Sequence, residues 1–228
     1  MVYILALETT SSICSVALFQ NDQLLGISEL QIEKSHSSHI TVLIEQLLQN
    51  CQVSFSQLAA VALSGGPGSY TGLRIGSSSA KGLCYSLNIP LLEVPTLQAL
   101  SSEAINYTPQ PQDYLYCPMI DARRMEVYTC ILNHSLEEIS PVTPLILEEA
   151  SLQDILIDNK VLFFGSGAAK FSQIIINSTN AAFISSIKPT ARWMGKLAFD
   201  KYNKAAFEDV AYYEPFYLKE VYITKSNK

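Results

Sequence analysis

The residues best suited to chemistry lie in one stretch, Ser64-Gly65-Gly66-Pro67-Gly68-Ser69-Tyr70-Thr71-Gly72-Leu73-Arg74-Ile75-Gly76. A short apolar run, Ala59 to Leu63, leads into it, and a helical pattern leaves it and ends near Leu87. Strand, glycine-rich turn and helix is the order that places a phosphate at a helix N-terminus. The residue types argue against that use here. A Walker loop needs Gly-x-x-x-x-Gly-Lys followed by Ser or Thr, and the nearest lysine, Lys81, falls about two and a half turns into the helix. The Gly-x-Ser-x-Gly elbow of a serine hydrolase is also missing. Gly76-Ser77-Ser78-Ser79-Ala80 comes near it, but inside the helix.

Other candidate groups are sparse. Glu8 and Asp121 each end an apolar run. They could work as an acid–base pair only if a cleft brought them together, so structural roles at strand ends are expected. His36 and His39 fall near a helix start, with Glu33 and Glu45 in the vicinity, but no third ligand of good spacing follows. Both are expected to be solvated or capping. His134 lies in a turn and is expected to be exposed.

The helix after the glycine turn is unusual. Gly72, Gly76, Ser79 and Leu83 share one line of its wheel, with Ala80 and Leu87 beside it, and Leu73 and Cys84 widen the apolar side. Arg74, Lys81 and Tyr85 lie opposite. Gly76 and Gly82 together cost roughly 1–2 kcal/mol relative to alanine. A surface without side chains lets another backbone come close, so the helix is expected to pack on two sides, its own core and a partner helix. Ser69 and Thr71 are both suited to cap it.

The chain of 228 residues, 48% hydrophobic, is long enough to bury a substantial core. Its formal charge of −6 and the absence of a basic run exclude a stand-alone nucleic-acid binder. Five scattered cysteines, Cys14, Cys51, Cys84, Cys117 and Cys130, read as reduced buried thiols of a cytoplasmic protein. No apolar run reaches the roughly 18 residues of a membrane span, and the first strand pattern starts without the basic region or cleavage site by which a leader would be expected to show.

These residues must be positioned by a repeated set of elements. Val2 to Leu7, Cys14 to Phe19 and Leu24 to Leu30 read as a meander. Caps at Ser35 to Ser38 open a helix from about His39, in which Ile40, Leu43, Ile44, Leu47 and Leu48 follow an amphipathic spacing. Ala59 to Leu63 and Leu91 to Val94 are strands, and Thr96 caps a helix to about Ile105. A polar, proline-bearing stretch from Asn106 to Asp113 divides residues 1–108 from 109–228. The order then recurs: strands at Tyr114 to Ile120, Glu126 to Leu132 and Val142 to Leu147, a short helix from Ser151, a strand at Val161 to Phe164, Gly165-Ser166-Gly167, and a helix from Ala168. Repetition of a whole unit predicts a duplicated α/β protein with two sheets, each a three-strand meander with a parallel crossover. That is the order of the actin-like (ASKHA, ribonuclease H-like) fold. A helix from Ala191 and the aromatic segment Ala211 to Leu218 close the chain, and 190–228 is expected to pack back on the first half.

With the motifs in hand the chain resembles the TsaB (YeaZ) family over nearly its whole length. The residues that carry the resemblance are Ala6-Leu7-Glu8-Thr9 with Cys14-Ser15-Val16-Ala17-Leu18, then Gly66 to Gly76, then Ile120-Asp121-Ala122-Arg123 with Glu126-Val127-Tyr128, and Glu214-Pro215-Phe216-Tyr217-Leu218. The resemblance implies a cytoplasmic, non-catalytic actin-like subunit. It would pair with a TsaD-like catalytic paralogue and a TsaE-like ATPase to transfer threonylcarbamoyl to N6 of adenosine 37 of tRNAs reading ANN codons, and would meet tRNA only through that complex. The isolated subunit would carry no cofactor, with ATP or ADP and metal on partner subunits or at the interface. Where the catalytic paralogues carry a metal-binding His-x-x-x-His, this chain has Thr96-Leu97-Gln98-Ala99-Leu100. A leucine cannot ligate a metal. Glu8-Thr9-Thr10-Ser11-Ser12 lacks the glycine of an actin-type phosphate loop, so Glu8, Thr9, Gly66, Gly68 and Asp121 read as the remnant of a nucleotide site. A partner helix pair is expected to meet Ile40, Leu43, Leu47, Leu73, Gly72, Gly76, Ser79 and Leu83, and without that partner the same face would make a homodimer. Gly76→Leu is then expected to weaken association and leave folding cooperative. The alternatives are a stand-alone actin-fold kinase or transferase, which would bind magnesium–ATP tightly, and a metallopeptidase, which would require stoichiometric metal.

Overall fold

The computed structural model describes residues 1–32, 36–175 and 178–218. Glu33 and Ser35, which the sequence placed near the first helix, lie outside the described residues. Strands β1 (Tyr3–Glu8), β2 (Cys14–Gln20) and β3 (Gln23–Leu30) form the first meander. Helix α1 (His36–Asn50), β4 (Leu58–Ser64), α2 (Tyr70–Leu87) and β5 (Leu91–Val94) follow, and α3 (Thr96–Tyr107) leads away. The sheet order is β3-β2-β1-β4-β5, with β4 parallel to both β1 and β5.

The second half repeats it. β6 (Tyr114–Asp121), β7 (Glu126–Leu132) and β8 (Glu138–Ile146) form a meander, and α4 (Gln153–Asp158), β9 (Lys160–Phe164), α5 (Ala168–Ser172) and β10 (Ala181–Ile184) complete the order β8-β7-β6-β9-β10. The chain is a duplicated actin-like fold. The strand β10 was not visible in the sequence, because four residues leave too short a pattern to read.

β1 explains why its sequence is apolar without alternation. Leu5 and Leu7 face a core built with α1 and α2, and Ile4 and Ala6 face a second core on the other side of the sheet. A strand covered on both faces has no polar side. The second core is supplied from the far end of the chain: Ala191, Met194 and Ala198 pack on Ala6, Ala17 and Phe19. They belong to a single 3-10 turn, Ala191–Trp193, and helix α6 (Gly195–Asn203). The expected continuous helix from Ala191 is thus broken. Its second segment begins at Gly195, where any side chain would strike the Phe19 ring. In return α3 leaves its own half: Leu97, Leu100 and Ala104 pack on Tyr116, Ile120 and Cys130 of the second sheet. Where the two crossing segments pass, Tyr107 and Trp193 meet edge to face with centroids 5.6 Å apart.

Candidate functional site: the glycine turn and the outer groove of its helix

β4 delivers Ser64 into the turn, and Ser69 caps α2 by accepting the Gly72 N–H at 3.3 Å. Gly66 takes φ +114°, the left-handed range that favours glycine. The close approaches that the other glycines permit are made by the chain itself. A side chain at Gly68 would run into Thr10, one at Gly72 into the Thr9 carbonyl, and one at Gly76 into the Thr9 hydroxyl. The Thr9 hydroxyl donates to the Gly72 carbonyl at 2.8 Å, and the Ser69 N–H donates to the Thr10 carbonyl at 2.8 Å. The turn between β1 and β2 is therefore stitched to the start of α2.

Further contacts fix the glycine turn and the β1–β2 turn beside it. The Thr96 hydroxyl lies 2.7 Å from that of Ser64 and accepts the Gly66 N–H at 3.0 Å. Thr96 is the first residue of α3 rather than its cap, because Pro95 occupies the cap position. Behind the turn, Glu8 is completely buried, and its Oε1 accepts the N–H and hydroxyl of Thr10, both at 2.6 Å. Burial pushes its carboxyl up from the ordinary range, with Ser64, Thr10 and His36 pulling back. The Ser64 hydroxyl is engaged with Thr96, and Glu8 Oε2 has no hydrogen-bond partner. His36 is neither solvated nor capping: it is buried, with Nε2 3.0 Å from the Ser11 carbonyl, so it also holds the β1–β2 turn. The His39 Nδ1 sits 2.9 Å from the Ser38 hydroxyl.

The last contact comes from the aromatic closing segment. The Phe216 N–H donates to the Gly65 carbonyl at 2.8 Å, Lys81 Nζ donates to the carbonyls of Ala211 and Tyr213 at 3.0 and 3.1 Å, and the Tyr217 ring lies 5.2 Å from that of Tyr70. The sequence predicted that 190–228 packs back on the first half; which backbone groups of this closing strap meet α2 and the glycine turn was not legible. Lys81, the lone lysine of α2, was the available signal, since a docked backbone needs donors.

The second carboxylate corner is built differently. Asp121 is exposed, and its Oδ1 accepts the Arg123 N–H at 2.6 Å and pairs with Lys170 at 2.5 Å. Glu8 and Asp121 each find their partners within their own half, so no shared acid–base pair forms between them. Among the described residues no group of three His, Cys, Asp or Glu side chains comes together as a metal site, and no helix is long and apolar enough to cross a membrane.

The expected partner face needs correction in its residues. Ile40, Leu43 and Leu47 are buried in the core over the first sheet, although Ile40 also lines the outer groove described next, and Leu73 is buried beneath the glycine turn. Gly72 and Gly76 face Thr9, so Gly76→Leu would disrupt the fold rather than association alone. A helix wheel with two buried sides does not say which side is internal. Ser79 and Leu83 are half-buried. What faces outward between α1 and α2 is a groove of about 460 Å³, lined among others by Ser37, Thr41, Tyr70, Arg74, Ser78 and Ser79. A second cleft of about 340 Å³ lies between the halves, with Glu93, Gln98, Glu138 and Phe216 on its walls.

Comparison with known proteins agrees with this architecture. A family model described as TsaD, tRNA N6-adenosine threonylcarbamoyltransferase, matches residues 17–220. The tRNA threonylcarbamoyladenosine biosynthesis protein TsaB of Bacillus subtilis (strain 168) is 31% identical, over 75% of this chain and 74% of that protein. The TsaB protein of Haemophilus influenzae is 29% identical, over 95% of this chain and 93% of that protein. The solved structure of YeaZ from Pseudomonas aeruginosa superposes with a TM-score of 0.81 at 26% identity, covering 96% of this chain and all of that one. The chain belongs to the TsaB (YeaZ) family, within the wider group that the TsaD model describes.

Proposed function

We propose that this chain is a non-catalytic subunit of the machinery that makes threonylcarbamoyladenosine in tRNA. It pairs with a TsaD-like catalytic paralogue and works with a TsaE-like ATPase, meets tRNA through that assembly, and acts in the cytoplasm. Nucleotide and metal belong to the partner subunits or to the interface. The names of the relatives supply the pathway. The observation that carries the non-catalytic role is the fate of the residues at the histidine positions of the catalytic paralogues. Thr96 is spent on holding Ser64 and Gly66, and Leu100 is buried against the second sheet. The glycine turn supports the same reading, because the close approaches that Gly68, Gly72 and Gly76 permit are taken by Thr9 and Thr10 of the chain itself. The outer groove between α1 and α2 is the docking face for a partner helix pair, and a second copy of the chain takes that place when the paralogue is absent.

Reconstitution tests this. With the catalytic paralogue, the ATPase, threonylcarbamoyl donor and tRNA present, transfer is expected only when this chain is added, and Thr96→Ala should retain it to the extent that the variant folds. Transfer by this chain without the paralogue, or full transfer in its absence, would overturn the assignment.

A further inference from the structure

We propose that Arg74 is the charged anchor of the α1–α2 groove and receives a carboxylate from a helix of the paralogous partner, with the C-terminal strap setting the position of its guanidinium. This rests on reading the groove as the partner face. Among the described residues, Arg74 is the one charged side chain lining the groove; beside it are the Tyr70 ring, the aliphatic Ile40 and Ile75, and hydroxyl side chains such as Thr41, Ser78 and Ser79. Arg74 itself is exposed and has no carboxylate partner among the described residues.

It is nevertheless held in place. The guanidinium carbon lies 5.0 Å from the centroid of the Tyr70 ring, which in turn packs on Tyr217. Tyr217 arrives there because Phe216 is bonded to Gly65 and Lys81 grips the strap at Ala211 and Tyr213. Burial raises the Tyr217 phenol, and Arg74 beside it pulls back. A guanidinium stacked on an aromatic face is weakly hydrated and loses little freedom when its fork meets a carboxylate. Such two-pronged pairs fix orientation as well as adding affinity. The small hydroxyl walls let a helix come close enough to present one. A doubly charged phosphate would be favoured by a second cation or by free backbone N–H groups beside the hydroxyls. No second cation lines the groove, and the N–H groups of Gly72 and Leu73 at the start of α2 both donate to Ser69.

The test is calorimetric titration of the full chain with its TsaD-like paralogue from the same organism, at low and high salt, with and without ATP. Arg74→Gln is expected to weaken association about 10- to 100-fold, the loss of a charged hydrogen-bonded pair, and to flatten its salt dependence. Arg74→Lys should recover only part of the affinity, because an ammonium lacks the fork. Tyr217→Leu should weaken association less than Arg74→Gln and leave the salt dependence in place. Thermal melting of Arg74→Gln alone should match that of the wild type, since the side chain is exposed. Unchanged affinity and salt dependence in Arg74→Gln, while the wild type binds, would overturn this proposal alone. A loss seen only when ATP is present would overturn it in favour of a phosphate contact. Absence of binding by the wild type would take down the partner reading and this one with it.

Discussion

Glu8 and Asp121 end equivalent strands, β1 and β6, and precede equivalent turns, yet one corner is sealed and the other is wet. In the first half an 18-residue helix follows the glycine turn and buries its N-terminal glycines against Thr9, closing the corner over a carboxyl that burial holds toward its protonated form. In the second half the corresponding helix has five residues, and Asp121 stays at the surface with Lys170. The same strand order therefore supports two kinds of corner, and helix length with glycine placement decides which. The sealed corner fixes the N-terminal part of α2 against Thr9 and leaves a groove on its outer side.

The sharpest way to break this contrast is to place a methyl group in the seal. Gly72→Ala pushes a carbon into the Thr9 carbonyl and is expected to cost about 3 kcal/mol or more, as overpacking against backbone does. Gly82→Ala, with nothing near its missing Cβ, is expected to stabilise the same helix by about 0.5–1 kcal/mol. Denaturant melts of the two variants check both signs. Next in size is Thr96→Val, which strips the Gly66 N–H and the Ser64 hydroxyl of a shared partner and should cost about 1–3 kcal/mol. Amide exchange at Gly66 should quicken in parallel.

A smaller effect concerns pH. The folded state raises the carboxyl of Glu8, so it favours the protonated form. The resulting contribution is complete below the unfolded value and is lost as pH rises through the folded one. Glu93 is raised by burial too, and Glu103 is raised from 4.5 to about 7 by burial, with Trp193 and Arg192 opposing and Glu29 reinforcing. All three act in one direction, so stability should fall as pH rises above the ordinary carboxylate range, with the Glu103 share lost as pH passes about 7. Glu103→Gln should flatten part of that fall, and melts across the pH range measure it. Smallest of all is Asp121→Asn in the wet corner, expected to change stability by less than about 1 kcal/mol because a surface ion pair is worth little, and by less still in high salt.

The duplication was legible in the sequence because a whole unit recurs, and each first strand visibly ends on a carboxylate. The glycine stretch was legible as a place of close approach, but not what approaches. Gly72 and Gly76 record only that a side chain is excluded, and Thr9, 63 residues from Gly72 in the chain, fills the space through a long-range contact that leaves no local pattern. The same limit hid where the closing segment attaches, though not that it docks, because it is held at the glycine turn and α2 through backbone groups at Gly65, Ala211, Tyr213 and Phe216 that every residue type carries. The sequence placed Arg74 opposite the small-residue line of α2 and no more, because its preorganisation by Tyr70 and Tyr217 depends on where the far end of the chain folds.

The most direct test of the central claim is size-exclusion chromatography with light scattering, on this chain alone and mixed with its TsaD-like paralogue. A single species with the mass of a mixed complex, formed at the expense of any homodimer, is the result that a partner subunit predicts. Elution of the two proteins separately, each with its own mass, would contradict it.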